Sequence, residues 1–220
     1  MKSKIMKRVG LILACICMIG SLNGCAKFDA SAYVKAILDN SYLNDSTEFV
    51  EQKIGTAEEA AELYKQGIDA EMDAMLASVT LSDEVQEAYR EFYENMFQKV
   101  KYTVGEATKI DKNTIEVTVT YEKMNSFASA MAAYETAATE LMAEWSTAAL
   151  TGSEPTEQEM MDTLFLTLRD CMQAALDTAT YEEPKTTTIK VELIDNVWTP
   201  NQDDLVNFET ILFDFEGLGA

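Results

Sequence analysis

Two stretches of strictly alternating residues constrain the fold of this chain more than any other feature of its sequence. Apolar residues occupy every second position over residues 114–122, and threonines and glutamates fill the positions between them. The same pattern returns over residues 188–193. A period of two is typical of a strand with one apolar and one polar face. The remainder of the chain must therefore supply partners and a cover for at least two strands.

Turn residues next to both stretches predict that each belongs to a hairpin. Asp111–Asn113 separates the first stretch from a strand that begins at Tyr102. Asp195–Asn196 follows the second and leads into a return strand that ends at Pro200. We therefore expect an antiparallel sheet of about four strands in two hairpins, the first with one solvent-exposed face.

The other segments carry apolar residues at helical spacing. Asp29 is a favourable N-cap, and Thr56 with Glu59 and Thr156 with Glu159 have the spacing of capping boxes. Together with the hairpins, these helices predict an α+β domain in which several α-helices cover the sheet. The expected helical stripes are Tyr33–Tyr42, Ala61–Val79, Val85–Val100, Phe127–Ala149, Met161–Ala175 and Leu205–Phe215, with a brief helix over Thr47–Lys53.

The N-terminal region has the pattern of an export signal. Four basic residues precede an apolar run over 9–19, which is short for a permanent membrane span. The run leads to Leu22-Asn23-Gly24-Cys25, which resembles the bacterial lipobox. This resemblance implies cleavage between Gly24 and Cys25 and a diacylglycerol, with its palmitate-type chains, on the Cys25 thiol. Asn23 departs from the small residue usual at its position, and an uncleaved anchor or a plain secreted protein are the alternatives.

This interpretation divides the chain into three parts. Residues 1–24 form a lipoprotein signal peptide, 25–30 a lipidated N-terminus with a short tether, and 31–220 a single acidic α+β domain. Because the tether is short, we expect the domain to stay near the outer face of the cytoplasmic membrane. With Cys25 acylated, Cys171 is the remaining thiol of the mature chain, so packing must stabilise the fold without an internal disulfide.

Charge restricts the possible partners. Removal of the signal leaves 13 basic and 38 acidic residues, a formal net charge of −25. Such a domain is repelled by nucleic acids and by anionic lipids, so nucleic-acid binding is excluded and the lipid anchor is needed at the membrane. A cation-rich ligand, a peptide or another exported protein is the expected kind of partner.

Several common catalytic sites cannot form. The chain has no histidine, which excludes Ser-His-Asp and Cys-His arrangements and any metal site containing histidine. The mature chain lacks Ser-x-x-Lys, Gly-x-Ser-x-Gly and the phosphate-binding glycine motifs. We therefore predict no catalytic residues, no metal site, no cofactor and no enzymatic activity.

The carboxylates leave one catalytic alternative open. Dense acidic groups occur at Glu58–Glu62, Asp69–Asp73 and Glu182–Glu183, and they are interpreted as solvated surfaces rather than cation sites because no calcium loop is present. A histidine-free hydrolase of cell-wall glycan with two carboxylates stays possible. Cys171 and the nine mature methionines fit core positions on helical stripes better than reactive or ligand-binding ones. Trp198 fits packing between strand and helix better than a pocket cap.

The order of segments resembles an uncharacterised family of lipoproteins from Clostridia-type Gram-positive bacteria, a domain of unknown function. This resemblance covers nearly the whole mature chain and implies a position beneath the cell wall, without implying catalytic residues. The expected function is thus a membrane-anchored, non-enzymatic binding or protein-interaction domain, with the hydrolase or a small solute-binding lipoprotein as alternatives. The stretches that carry the resemblance are Lys27–Asp39, Glu58–Tyr64, Lys101–Glu106 and Thr180–Pro184.

Overall fold

A computed structural model describes residues 28–125 and 127–213. The predicted signal peptide, Gly24 and Cys25 lie outside the described residues, as do positions 26 and 27 of the predicted tether. The described helices are α1 (Ala30–Leu38), α2 (Thr47–Glu51), α3 (Ala57–Leu76), α4 (Asp83–Phe97), α5 (Phe127–Ala149), α6 (Glu157–Asp177) and α7 (Gln202–Leu212), and a π-helical turn (Asp39–Leu43) continues α1. The strands are β1 (Lys101–Lys109), β2 (Thr114–Glu122), β3 (Met124–Asn125), β4 (Thr180–Tyr181), β5 (Lys185–Ile194) and β6 (Val197–Pro200).

The predicted α+β fold is confirmed, and the two hairpins join into one sheet. Its strand order is β1-β2-β5-β6, and every pair is antiparallel. Asp195 and Asn196 both have positive φ, 50° and 65°, as a two-residue type I′ turn requires. The sequence left strand order open because nothing in it states that β2 pairs with β5. Two short strands that were not predicted, β3 and β4, form a separate pair.

The alternating residues of the sheet direct their apolar side chains into the core. Val117 and Val119 of β2 are fully buried, as are Ile189 and Val191 of β5. The polar face of β2 is less exposed than predicted, since its threonines are only partly accessible to solvent. The reason is position: β2 lies between two neighbouring strands, whose side chains cover part of its polar face.

Helix α1 lies against β1 and β2, and its predicted apolar face is buried. Asp29 caps it by accepting a hydrogen bond of 3.1 Å from the amide of Ala32. Both predicted capping boxes, at Thr56 and Thr156, are present. Ser82 precedes α4, but its hydroxyl makes no cap bond to this helix; its own amide instead donates to the Asp162 carboxylate at 3.1 Å.

Helices α5 and α6 pack on each other, and α6 also contacts α4. The predicted stripe of α5 is only partly right, because Met142 is 56% exposed and Ala149 is also exposed. This helix contacts α6 far more than any other element, so much of its surface remains accessible to solvent. The described buried apolar side chains form one hydrophobic core, which extends from α1 through the sheet to α7.

Candidate functional site

A groove follows the first half of β1 at the edge of the sheet. Its volume is about 690 Å³. One wall comes from the end of α1, and the rest comes from β1, β2 and the segment before β5. The lining residues are Lys35, Asp39, Leu43, Val100, Lys101, Tyr102, Thr103, Val104, Thr120, Tyr121, Glu122 and Pro184.

Asp39 is the polar centre of this groove. Its side chain is 8% exposed and accepts a hydrogen bond of 2.7 Å from the Tyr102 hydroxyl. Lys35, one helical turn earlier, forms an ion pair with the same carboxylate. The hydrogen bond from the Lys35 ammonium to Asp39 raises the pKa of Lys35, although burial lowers it. Burial, and then the hydrogen bond to Asp39, raise the pKa of Tyr102. Asp39 therefore fixes a phenol and an ammonium group at the groove wall.

A second charged group lies at the start of β1. Lys101 Nζ is 3.6 Å from Glu122 Oε2 and 3.6 Å from the centre of the Tyr181 ring. Both charged side chains of this pair are partly exposed, so they are available to an incoming ligand. The groove thus presents both signs of charge beside aromatic surface, a combination suited to binding a polar chain with some apolar side chains.

Two carboxylates lie behind the groove, of which Glu209 is fully buried and Glu71 is partly exposed. Glu209 of α7 is 1% exposed, and its Oε2 finds no hydrogen-bond partner among the described residues. Burial, and then the nearby Glu71, raise the pKa of Glu209 well above its ordinary value. Burial alone raises the pKa of Glu71 on α3 to about 7. A buried carboxyl avoids the cost of charge by holding its proton, so burial favours the neutral form of Glu209, while Glu71 is balanced between its two forms near pH 7.

Aromatic rings connect this pair to the groove. The Tyr42 ring lies 6.3 Å from the rings of Tyr102 and of Phe208, measured between centroids. The Tyr42 hydroxyl is buried and, within the described part of the chain, unpartnered; burial and then Glu209 raise its pKa. The Tyr42 and Phe208 rings thus lie between the part-buried Asp39–Tyr102 contact and the buried Glu209.

Neither of these two acids stands out from the sequence by residue type. Glu71 is predicted with Asp69 and Asp73 to lie on a solvated surface, and this is right for its neighbours: Asp69 binds Arg90 at 2.6 Å, and Asp73 is exposed. A usable signal existed, since Glu71 follows Ile68 by three positions on the apolar face of its helix. Glu209 likewise follows the buried Leu205 by four.

The other residues singled out from the sequence have mainly structural surroundings. Glu58 and Glu62 are exposed, as expected. Cys171 is half-buried against the core, and burial raises the pKa of its thiol, which lowers its reactivity. Trp198 stacks on Phe28 with 5.0 Å between ring centroids, which matches the packing interpretation. Within the described residues, no group of three or more metal-binding side chains comes together.

Comparison with known proteins shows a fold and leaves the family open. No model of a known protein family matches the chain, and no curated protein matches it. The chain is similar to the crystal structure of a "putative lipoprotein (ycdA)" from Bacillus subtilis subsp. subtilis str. 168, with a TM-score of 0.58 at 13% identity. The match covers 84% of this chain and 56% of that one, so the chain spans about half the length of the Bacillus protein.

At this identity the likeness shows a shared fold alone. The lipoprotein class and the narrower Clostridia-type family both remain predictions from the sequence. Across residues 28–125 and 127–213, none of the helices is long and apolar enough to cross a membrane.

Proposed function

We propose that this chain is a lipoprotein, anchored through Cys25 to the outer face of the cytoplasmic membrane, whose domain binds a partner without catalysing a reaction. The lipobox-like Leu22–Cys25 supports the anchor. The fold shared with a Bacillus protein described as a putative lipoprotein agrees with it. The groove beside β1 is the proposed binding site, and its position on an edge strand is the observation that carries the proposal.

The partner that best fits this groove is an extended segment of an exported protein or peptide. An edge strand presents unpaired backbone amides and carbonyls, to which an extended chain can add as a further strand. Pairing of β1 with β2 is regular from Lys101 to Val104 and shifts register before Ala107. The regular part coincides with the groove, so the docking segment is expected to be short. The strong negative charge of the domain favours a basic partner.

Charge reversal at Glu122 tests this binding site. Peptides are first selected from a phage-displayed random library on immobilised protein that begins at Ala26, and their Kd values are measured by calorimetry. Because the partly exposed Glu122 carboxylate lies within the groove and the expected partner is basic, Glu122→Lys is expected to weaken binding of the selected peptides by about tenfold or more, equal to about 1.4 kcal/mol.

Glu116→Lys is the matched control, since Glu116 lies on the same strand but pairs with Thr108, beyond the register shift. It makes the same charge change outside the groove and should leave Kd within about twofold. Equal losses in the two variants, or a selection that enriches no peptide, would show that the groove does not bind extended chains.

The carboxylate hydrolase is the second candidate, because Glu71 and Glu209 form a definite acid pair. A glycosidase of this type needs a protonated carboxyl and an ionised one on either side of an open cleft. Here Glu209 is inaccessible, and both acids hold raised pKa values. The pair therefore lacks the open cleft through which a glycan would reach both carboxyl groups. We accordingly favour binding over hydrolysis.

Purified peptidoglycan is the substrate for testing this alternative. We expect no release of reducing sugar by the wild-type protein, by Glu71→Gln or by Glu209→Gln. Glu122→Gln, in the open groove, serves as a control for any effect of removing an accessible carboxylate. Sugar release that disappears in Glu71→Gln or Glu209→Gln would establish the hydrolase instead.

A small solute-binding lipoprotein is the third candidate. Receptors that feed transporters usually close two lobes around a hinge, whereas the described apolar side chains pack into one continuous core. The groove is also open along an edge strand rather than enclosed between lobes. These observations favour a polypeptide over a small solute as the ligand.

A further inference from the structure

Two exposed isoleucines lie at one end of the sheet. Ile110 is 53% exposed in the β1–β2 hairpin, and Ile194 is 52% exposed in the β5–β6 hairpin. We call residues 110–113 and 194–196 the hairpin tips. The tips are neighbours, because the Leu193 amide donates to the Asn113 carbonyl at 2.8 Å. Two large apolar side chains thus project from adjacent turns.

The same end of the sheet is connected to the N-terminus of the described chain. Phe28 stacks on Trp198 with the ring planes 1° apart, and Trp198 pairs with Leu193 beside the tips. The Tyr33 hydroxyl holds α1 there by donating to the Trp198 carbonyl at 3.1 Å. Helix α1 then runs toward the opposite end, where Asp39 meets Tyr102.

The short segment between Cys25 and Phe28 limits how far the bilayer surface can lie from the domain. Cys25 precedes Phe28 by only three positions, with two residues between them, and an extended chain of that length reaches roughly 10 Å. A lipid on Cys25 therefore places the bilayer surface close to Phe28 and to the hairpin tips. The groove at the start of β1 lies toward the other end of the sheet, away from the bilayer.

The charge at the tips fits this orientation. The tips themselves carry Asp111, Lys112 and Asp195, and the exposed Lys109 adjoins them, so these four charges sum to zero in a domain that is otherwise strongly acidic. Neutral, isoleucine-bearing turns can approach anionic headgroups, whereas the acidic surfaces are repelled.

We infer that the hairpin tips dock on the membrane surface, with Ile110 and Ile194 entering the headgroup region. This inference rests on the proposed anchoring at Cys25. It assigns the domain an upright orientation, in which the tips face the lipid and the groove points outward to exported partners. The docking contact orients the domain, while the acyl chains supply its attachment.

The test uses the full lipidated protein in vesicles of phosphatidylglycerol and phosphatidylcholine. An environment-sensitive nitrobenzoxadiazole label is attached to Ile110→Cys or Ile194→Cys in a Cys171→Ala background, which removes the other thiol of the mature chain. The matched control is Glu183→Cys, an exposed position just before β5 and about 30 Å from Ile194 along that strand.

At both tip positions, vesicle reconstitution is expected to raise label fluorescence by at least about twofold and to allow quenching by lipids with a nitroxide near the headgroup. The control label should show neither response. Co-flotation with vesicles is measured in parallel. If the protein floats with the vesicles but the tip labels do not respond, or only the label at position 183 responds, the docking is overturned while the anchoring stands. Loss of flotation would overturn the anchoring and the docking together.

Discussion

The domain is expected to lose stability as the pH rises from 5 to 8, in part because of Glu71. Its pKa is about 7 in the folded protein and 4.5 as the ordinary value, so the folded state binds more protons between these two values. The stabilising contribution is complete below about pH 4.5 and is lost as the pH passes through 7. At 1.36 kcal/mol for each pKa unit, the loss is about 3 kcal/mol. Glu209 shifts in the same direction.

Urea unfolding of the chain from Ala26 at pH 5, 6, 7 and 8 measures this effect. Glu71→Gln should remove about 3 kcal/mol of the pH dependence and be more stable than the wild type at pH 8, because an amide stays neutral. Glu58→Gln is the control, since Glu58 is exposed on the same helix. A wild type equally stable at pH 5 and pH 8, or a Glu71→Gln variant with the full slope, would contradict the assignment.

The spacing of apolar residues and the helix-capping residues were enough to predict most of this fold from the sequence. The alternation over 114–122 identified a strand, and Thr56 and Thr156 located two helix starts, because these features are local. The pairing of β2 with β5 was not predictable in the same way. Between them lie two long helices, and which strands meet across such a gap is decided by packing rather than by neighbouring residues.

The residues of the candidate site were harder to predict from the sequence. Asp39 and Tyr102 are 63 positions apart and meet only because α1 crosses β1. Glu71 and Glu209 looked like surface acids by type, although their positions on apolar stripes pointed inward. Residue type misled here because carboxylates are rarely buried, and in so acidic a chain most of them are indeed solvated. Helical position was the better guide to burial than the character of the side chain.

Substitution of Cys25, the proposed site of the lipid anchor, is expected to have the largest effect in the cell. Replacing it by serine removes the thiol that receives the diacylglycerol, so Cys25→Ser should reduce labelling with radioactive palmitate to background. The chain should then appear as an unprocessed precursor or in the medium, instead of as a mature membrane form. Cys171→Ser, which removes the other mature thiol, should change neither labelling nor fractionation.

The surface of the described domain is not expected to hold the protein at the membrane in place of the proposed lipid. Each buried CH₂ contributes about 0.8 kcal/mol, so two acyl chains attach a protein stably. The hairpin tips offer only two isoleucines and a balanced charge, while a net charge of −25 repels the remaining surface from anionic headgroups. The domain alone should therefore leave the membrane. A Cys25→Ser chain that is still labelled and still recovered as a mature membrane form would exclude lipidation at this residue.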